Sequence, residues 1–444
     1  MWQMARKALR GAAGLALLVS APLNVTSAAD DVPVSQELRQ RSTEILTILN
    51  GGGDPATTFA ASFRKAVPDA QMQALIASLQ RQLGTAMGVE SLTPLGEHEA
   101  TVRLIFEKGT ARAWITLSPQ PPGQVTGLRV TGIMPTDIAD LASLDDVAAA
   151  FATAPGKTGF LVQDLDENNP AVALRGERTF AIGSTFKLVI LAELVREIDD
   201  GLREWTDTVT LDRTELPAGA FRALPPGTQV PLRRLAEEMI RVSDNSATDL
   251  LLAELGRTRI EAMQARIGFT HAARNIPFLS TMEAFKLKGV EGGALGRRYL
   301  AQDTDGRRAM LAGEVADVPG RAVGDLFADG TPVMIERLEW FAAPADLARA
   351  MRWFQGRKDS ANGQEALRIL ALNPGPAANL TGEVSYAGFK GGSEPGVLNM
   401  TVLLQDRSGR WIVVTASLND PRAGVDEARF QALFTRALEL AIKG

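Results

Sequence analysis

The chain has 444 residues, 45% hydrophobic and 22% charged, an ordinary globular composition with room for two domains and a sizeable core. Its net charge of -5, with no long basic stripe, gives no support for a nucleic-acid partner. Cysteine is absent and the histidines are two, His98 and His271, so disulfides and thiolate metal sites are excluded, a metalloenzyme is not expected, and no cofactor is expected.

Residues 1–29 carry Arg6, Lys7 and Arg10, an apolar run over 12–19, and small residues around Thr26-Ser27-Ala28-Ala29. That order is a secretory signal, too short for a good membrane span, and predicts a periplasmic or secreted protein with no integral span after removal. The alternative is a short anchor that stays uncleaved. No Cys follows for lipid attachment. Over 30–134 the pattern predicts helices at 36–49 and 55–83, the second interrupted near Pro68, then strands at 101–106, 111–117 and 124–130. Helices followed by an antiparallel sheet make an α+β domain. A linker over 135–143 leads to a second domain, 144–444. It opens with a helix to 151, begun by Asp145 and Asp146, and continues with strands at 159–163 and 171–174. Helices at 232–242, 247–255 and 281–287, strands at 384–389, 397–404 and 411–418, and a last helix over 421–442 complete a second α+β pattern.

Chemistry concentrates in Ser184-Thr185-Phe186-Lys187, a hydroxyl and an amine one helical turn apart where an apolar helix begins after Gly183. Desolvation should lower the pKa of Lys187 until its amine can take the Ser184 proton, and the helix N-terminus favours negative charge near Ser184. Ser62-Phe63-Arg64-Lys65 has the same spacing but lies in charged surface sequence without partners. Ser184 has them downstream: Ser243-Asp244-Asn245 in a bend between helices, and Lys390-Gly391-Gly392 after a strand. Singly, each has a plain structural explanation, as a helix cap, a solvated helix lysine or a solvated strand end. Lys157-Thr158-Gly159 precedes Ser184 and is rejected on order; it opens a strand, and Phe151 stands where a phosphate loop needs glycine. No G-x-S-x-G elbow serves either histidine, so both read as surface or packing residues.

In this order the three motifs resemble those of the class A β-lactamases and the wider penicillin-recognising serine hydrolases, over about 144–444. Branches with a Tyr-x-Asn middle motif do not fit, because Tyr299 and Tyr386 are followed two residues later by Ala301 and Gly388. By element order alone, the first domain resembles the cone-shaped ketosteroid-isomerase and nuclear-transport-factor type. Clavulanic-acid-cluster and mycobacterial lipoprotein relatives of β-lactamases similarly place such a domain first. The resemblance implies that Ser184 forms an acyl-enzyme with Lys187 as proton acceptor, that Ser243 passes a proton to the leaving nitrogen, and that Lys390 supplies positive charge. Asn245 would hold Lys187 or a substrate amide oxygen, and Gly392 and Ser393 would contact substrate, with the oxyanion between the N–H groups of Ser184 and Ser393.

Two departures limit that expectation. Gly391 replaces the usual Thr or Ser, and Ser393 is the nearby hydroxyl that could offset the lack. The glutamate that activates water falls at about Phe278, leaving Glu283 as the nearest carboxylate, either a deacylation base or a charge on an exposed helix face. Residues 288–339 look inserted, as a lid, an altered pocket wall or a solvated excursion. The expected protein is a secreted serine hydrolase acting on a β-lactam or a related cyclic amide or ester. The alternatives are an esterase or peptidoglycan-processing acyltransferase, and a non-catalytic ligand-binding or cell-wall-binding protein.

Overall fold

Apolar spacing builds the first helix, α1 (Gln36–Leu49), which buries Leu38, Ile45, Ile48 and Leu49 and is capped by Ser35 Oγ accepting from Leu38 N at 3.2 Å. This computed structural model describes residues 34–212, 215–380 and 382–443; the signal expected over 1–29 lies outside the described residues. The described chain forms two compact units that divide between Ala142 and Ser143.

In the first unit the helix expected over 55–83 with an interruption near Pro68 is three pieces, Pro55–Thr58, Ala61–Ala66 and α2 (Asp69–Leu83): the break before Pro68 is the expected one, and the break at Phe59 is an addition. Phe59 leaves the helical path because it bridges Val125, whose carbonyl accepts from Ala60 N at 3.0 Å. Val67, held extended before Pro68, makes the second break. Four antiparallel strands follow as a meander, β1 (Ala86–Gly96), β2 (Glu99–Phe106), β3 (Gly109–Leu117) and β4 (Val125–Pro135). The first is an addition to the expected three; Gly88, Pro94 and its register shifts blur the alternation that would announce it. One core takes in Ile45, Leu79, Leu104, Ile115 and Val125. Within the stretch expected as a linker, Thr136–Ala139 is a helical turn.

The second unit opens with α3 (Leu144–Thr153), where Ser143 and Asp146 form a reciprocal capping box. Its sheet runs β9 (Val384–Glu394), β10 (Val397–Asp406), β11 (Trp411–Asn419), β5 (Lys157–Asp164), β6 (Val172–Leu174), every pair antiparallel. A two-stranded pair, β7 (Phe180–Ala181) with β8 (Phe341–Ala342), leads into the Ser184 turn. Helices α4 (Lys187–Asp199), α5 (Leu232–Arg241), α6 (Asn245–Leu255), α7 (Arg257–Ile267), α8 (Thr281–Gly289), α9 (Pro344–Gln355), α10 (Ala361–Ala371) and α11 (Glu427–Ala441) follow, with shorter helices at Ala294–Leu300 and Thr304–Ala312 within 288–339. Helix α4 is buried nearly all round, from Leu188 to Val195. Both units mix helices with open antiparallel sheets, the α+β class expected. Among the described residues no helix is long and apolar enough to cross a membrane.

Candidate active site

Ser184 sits in a tight 3-10 turn, Gly183–Phe186, and Lys187 begins α4 directly after it. Neighbouring elements pin the turn. Asn419 on β11 grips Ala181 by both its N–H (2.8 Å) and its carbonyl (3.0 Å), and Ile182 N donates to Trp340 O. Thr185 Oγ1 donates to Asn399 Oδ1 at 2.8 Å, and Phe186 stacks on Trp340 with ring centres 3.9 Å apart. Gly183 has φ +48°, a left-handed conformation that admits the turn without a Cβ penalty.

Lys187 is fully buried. Its Nζ contacts Ser243 O at 2.6 Å, Ser243 Oγ at 3.0 Å and Asn245 Oδ1 at 2.7 Å. Burial pulls its pKa down to about 7, partly opposed by the negative charges of Asp249 and Asp244. A neutral amine has two N–H donors and one lone pair. The two carbonyl acceptors, Ser243 O and Asn245 Oδ1, use the donors, and the lone pair is left for a hydroxyl proton. The hydroxyl hydrogen-bonded to this amine is that of Ser243.

Ser243 makes this possible through backbone geometry. Its φ of +58° is unusual for a residue with a Cβ and accompanies the turning of its carbonyl and hydroxyl toward the same amine. The next residue fixes the bend: Asp244 caps α6 through Ala247 N (2.8 Å) and also accepts from Ser246 Oγ and Ala220 N. Lys390, on edge strand β9, reaches the other side of the Ser243 hydroxyl at 3.0 Å and donates to Gly391 O. Burial, and then the nearby Lys187, hold Lys390 well below the usual lysine range. The third motif runs along the nucleophile turn. A Cβ on Gly392 would lie 2.1 Å from Ile182 O and 2.4 Å from Ser184 N, and one on Gly183 would lie 2.9 Å from Ser393 N.

The structure therefore brings together Lys187, Ser243, Asn245 and Lys390, and sets Gly392 and Ser393 against the turn formed by Gly183 and Ser184. Glu283, proposed above as a deacylation base, is engaged elsewhere. Its two oxygens take Arg257 at 2.7 and 3.0 Å and Ser280 N at 2.7 Å, completing a capping box at the start of α8. Phe278 is buried edge-on to Phe186. Of the two carboxylates whose charge acts on Lys187, Asp249 and Asp244, the first has the larger effect and was not singled out in the sequence. It lies one turn after Asn245 and accepts from Thr281 N (2.7 Å) and Met282 N (2.9 Å). Desolvation raises its pKa to about 6 against the lowering effect of those N–H groups. Its signal was a single acid inside the apolar run Ala247 to Leu252. Of the other candidates, Ser62 is exposed on a short helix, Lys157 opens β5, His271 is exposed and His98 is half-buried in a turn. Among the described residues no cluster could hold a metal ion.

No curated protein matches the chain. Among solved structures, a β-lactamase from Sphaerobacter thermophilus is 21% identical and covers 68% of this chain and 98% of its own, with a TM-score of 0.48. A β-lactamase from Chitinophaga pinensis is 16% identical (67% of this chain, 96% of its own, TM-score 0.47), and one from Xanthomonas campestris is 18% identical (68% and 98%, TM-score 0.46). A family profile described as the β-lactamase enzyme family matches residues 142–312. The matched residues include Ser184, Lys187, Ser243 and Asn245, and Lys390 lies beyond them.

Proposed function

We propose that the protein is an exported serine hydrolase of the β-lactamase type that forms an acyl-enzyme on Ser184 with a β-lactam or a related cyclic amide or ester. The observation that carries this reading is the Ser243 hydroxyl held 3.0 Å from each of two buried amines, Lys187 and Lys390. The Lys187 lone pair takes a hydroxyl proton, from Ser184 directly or through Ser243, as Ser184 Oγ attacks the carbonyl carbon and a C–O bond forms. The oxyanion lies between the N–H groups of Ser184 and Ser393, and Ser243 then delivers a proton to the leaving nitrogen as the C–N bond breaks. Export rests on the residue pattern of 1–29, and a ketosteroid-isomerase-like identity for the first unit rests on its order of helices and antiparallel strands.

Intact-mass measurement after exposure to benzylpenicillin and to nitrocefin tests the reading. The expected result is a covalent adduct on Ser184, absent in Ser184→Ala. No adduct with any β-lactam or activated ester would exclude it.

A second reading, an esterase or acyltransferase acting on peptidoglycan, is favoured by the glycine at 391 and by the engagement of Glu283 with Arg257. Turnover of simple esters exceeding that of nitrocefin would select it.

A further inference from the structure

A second buried ionic cluster adjoins β9 and belongs to none of the three motifs. Lys288, at the end of α8, donates to Glu339 Oε1 and to Glu394 Oε1, both at 2.6 Å, and the three side chains are only 1%, 1% and 9% exposed. They come from three stretches: the start of the inserted segment, its last residue before Trp340, and the end of β9. Burial pulls Lys288 down, but Glu339 and Glu394 more than offset this and leave it above its ordinary value. Burial, together with the charge of Glu339 and a hydrogen bond to it, pushes Glu394 well above the carboxylate range. The Lys288 amine thus faces two carboxyl groups away from water, and the three groups satisfy one another inside the protein.

Position gives this cluster its consequence. Side chains alternate along a strand, so Lys390, Gly392 and Glu394 share one face of β9. The first reaches Ser243, the second rests on Ser184 N, and the third is held by Lys288. Ser393 lies between the second and third. The inserted segment also holds the turn after β9, where a Cβ on Gly396 would meet Pro332 Cγ at 2.7 Å.

We infer that Lys288 is a positioning residue: by holding Glu394 it sets how closely the Ser393 N–H lies to the Ser184 N–H, so the inserted segment determines the spacing of the two oxyanion donors. The inference rests on the reading of Ser184 as nucleophile. Glu394 accepts from the Lys288 amine through Oε1, a role an amide oxygen can also fill.

The test uses the full chain and compares Lys288→Met, Glu394→Leu and Glu394→Gln with the unchanged protein. Adduct formation with benzylpenicillin is followed by intact mass across concentrations, which separates the maximal acylation rate from the apparent Kd. Amide hydrogen exchange is read in the peptide covering 390–396. Lys288→Met and Glu394→Leu should lower the maximal rate about tenfold or more, leave the apparent Kd within about twofold, and speed exchange over 390–396 alone. Glu394→Gln should behave as the unchanged protein. If Lys288→Met does not fold, Glu394→Leu carries the test, because it removes the same contact from the strand side. Folded Lys288→Met or Glu394→Leu protein with an unaltered maximal rate and unaltered exchange at 390–396 would overturn the inference and leave Ser184 as nucleophile. An unchanged protein that takes no adduct would overturn both.

Discussion

Gly392 lies so close to Ser184 that a Cβ at 392 would fall 2.4 Å from the Ser184 backbone nitrogen. That nitrogen is one of the two proposed oxyanion donors, and the atoms on either side of it are also backbone: Ile182 O at 2.1 Å and Gly183 C at 2.7 Å. None of them can swing aside as a side-chain tip can. Gly392→Ala must therefore push β9 away from the turn and draw Ser393 N with it. Because β9 is the edge strand and its pairing with β10 is untouched, the fold should survive. We predict a loss of about a hundredfold or more in the rate of adduct formation, with circular dichroism unchanged. Equal rates for the two proteins would remove this pair of donors from the mechanism.

Lys187 sets the pH dependence. Its pKa, brought to about 7 by burial, makes the neutral amine the minor form below that value. The rate of Ser184 acylation should rise close to tenfold per pH unit below about 7 and level off above it. The profile is to be measured on adduct formation rather than turnover, so that slow deacylation does not mask it. A flat profile from about pH 5 to about pH 9 would show that Lys187 is not the proton acceptor.

Asp249 supplies a check on the same number from the other side. Its negative charge is the larger of the two that raise the Lys187 pKa against desolvation. In Asp249→Asn that charge is gone, so the Lys187 pKa falls further and the acidic limb of the acylation profile moves to lower pH. The amide oxygen keeps an acceptor for one of Thr281 N and Met282 N and loses the other, a cost of about 1 kcal/mol at the start of α8. A limb that stays where it is in the unchanged protein would mean that the charge of Asp249 does not reach the amine.

Glu283→Gln separates a structural carboxylate from a chemical one. The glutamate pairs with Arg257 and caps α8 through Ser280, so the amide should cost about 1 kcal/mol in thermal or urea unfolding. The lifetime of the Ser184 adduct, followed by intact mass after removing free β-lactam, should not change. A lifetime lengthened about tenfold or more would return Glu283 to the role of deacylation base.

Much of the second unit was legible because its signals are local. Apolar runs gave the opening of α4 and the strands β10 and β11 close to their observed bounds, whereas β9, expected over 384–389, runs on through the third motif to Glu394; motif order paired Ser243 with Lys187 and with Lys390, across 56 and 147 residues. What the sequence did not carry was where side chains turn. Nothing in Ser243-Asp244-Asn245 announces a positive φ at Ser243, and nothing in the spacing told that the Lys187 amine would face the Ser243 hydroxyl rather than hydrogen-bond Ser184. Glu283 looked available because its partners are remote or backbone: Arg257 is 26 residues away, and the Ser280 N–H is a capping contact. Lys288 with Glu339 and Glu394 was hidden for the same reason, being three charges from separate stretches that burial brings together. The helix expected over 55–83 failed where a sheet contact, Phe59 with Val125, outweighs local propensity.

Gly391, where the third motif that the chain resembles would carry a hydroxyl residue, has a local cause. A Cβ there would lie 2.6 Å from Phe389 Cζ, and the same ring closes on Gly375, where a Cβ would meet its Cγ at 2.5 Å. The ring thus occupies the volume a serine or threonine side chain would need. Gly391→Ser alone should then fail to improve binding of a carboxylate-bearing β-lactam, because the new side chain must displace the ring. In a Phe389→Leu background the same change should strengthen the apparent Kd severalfold relative to Phe389→Leu, since a hydrogen bond to a charged carboxylate contributes roughly 1.5 kcal/mol or more. The comparison is made from the concentration dependence of adduct formation at fixed pH. If Gly391→Ser strengthens binding without the Phe389 change, the ring is not what keeps a hydroxyl out of the third motif.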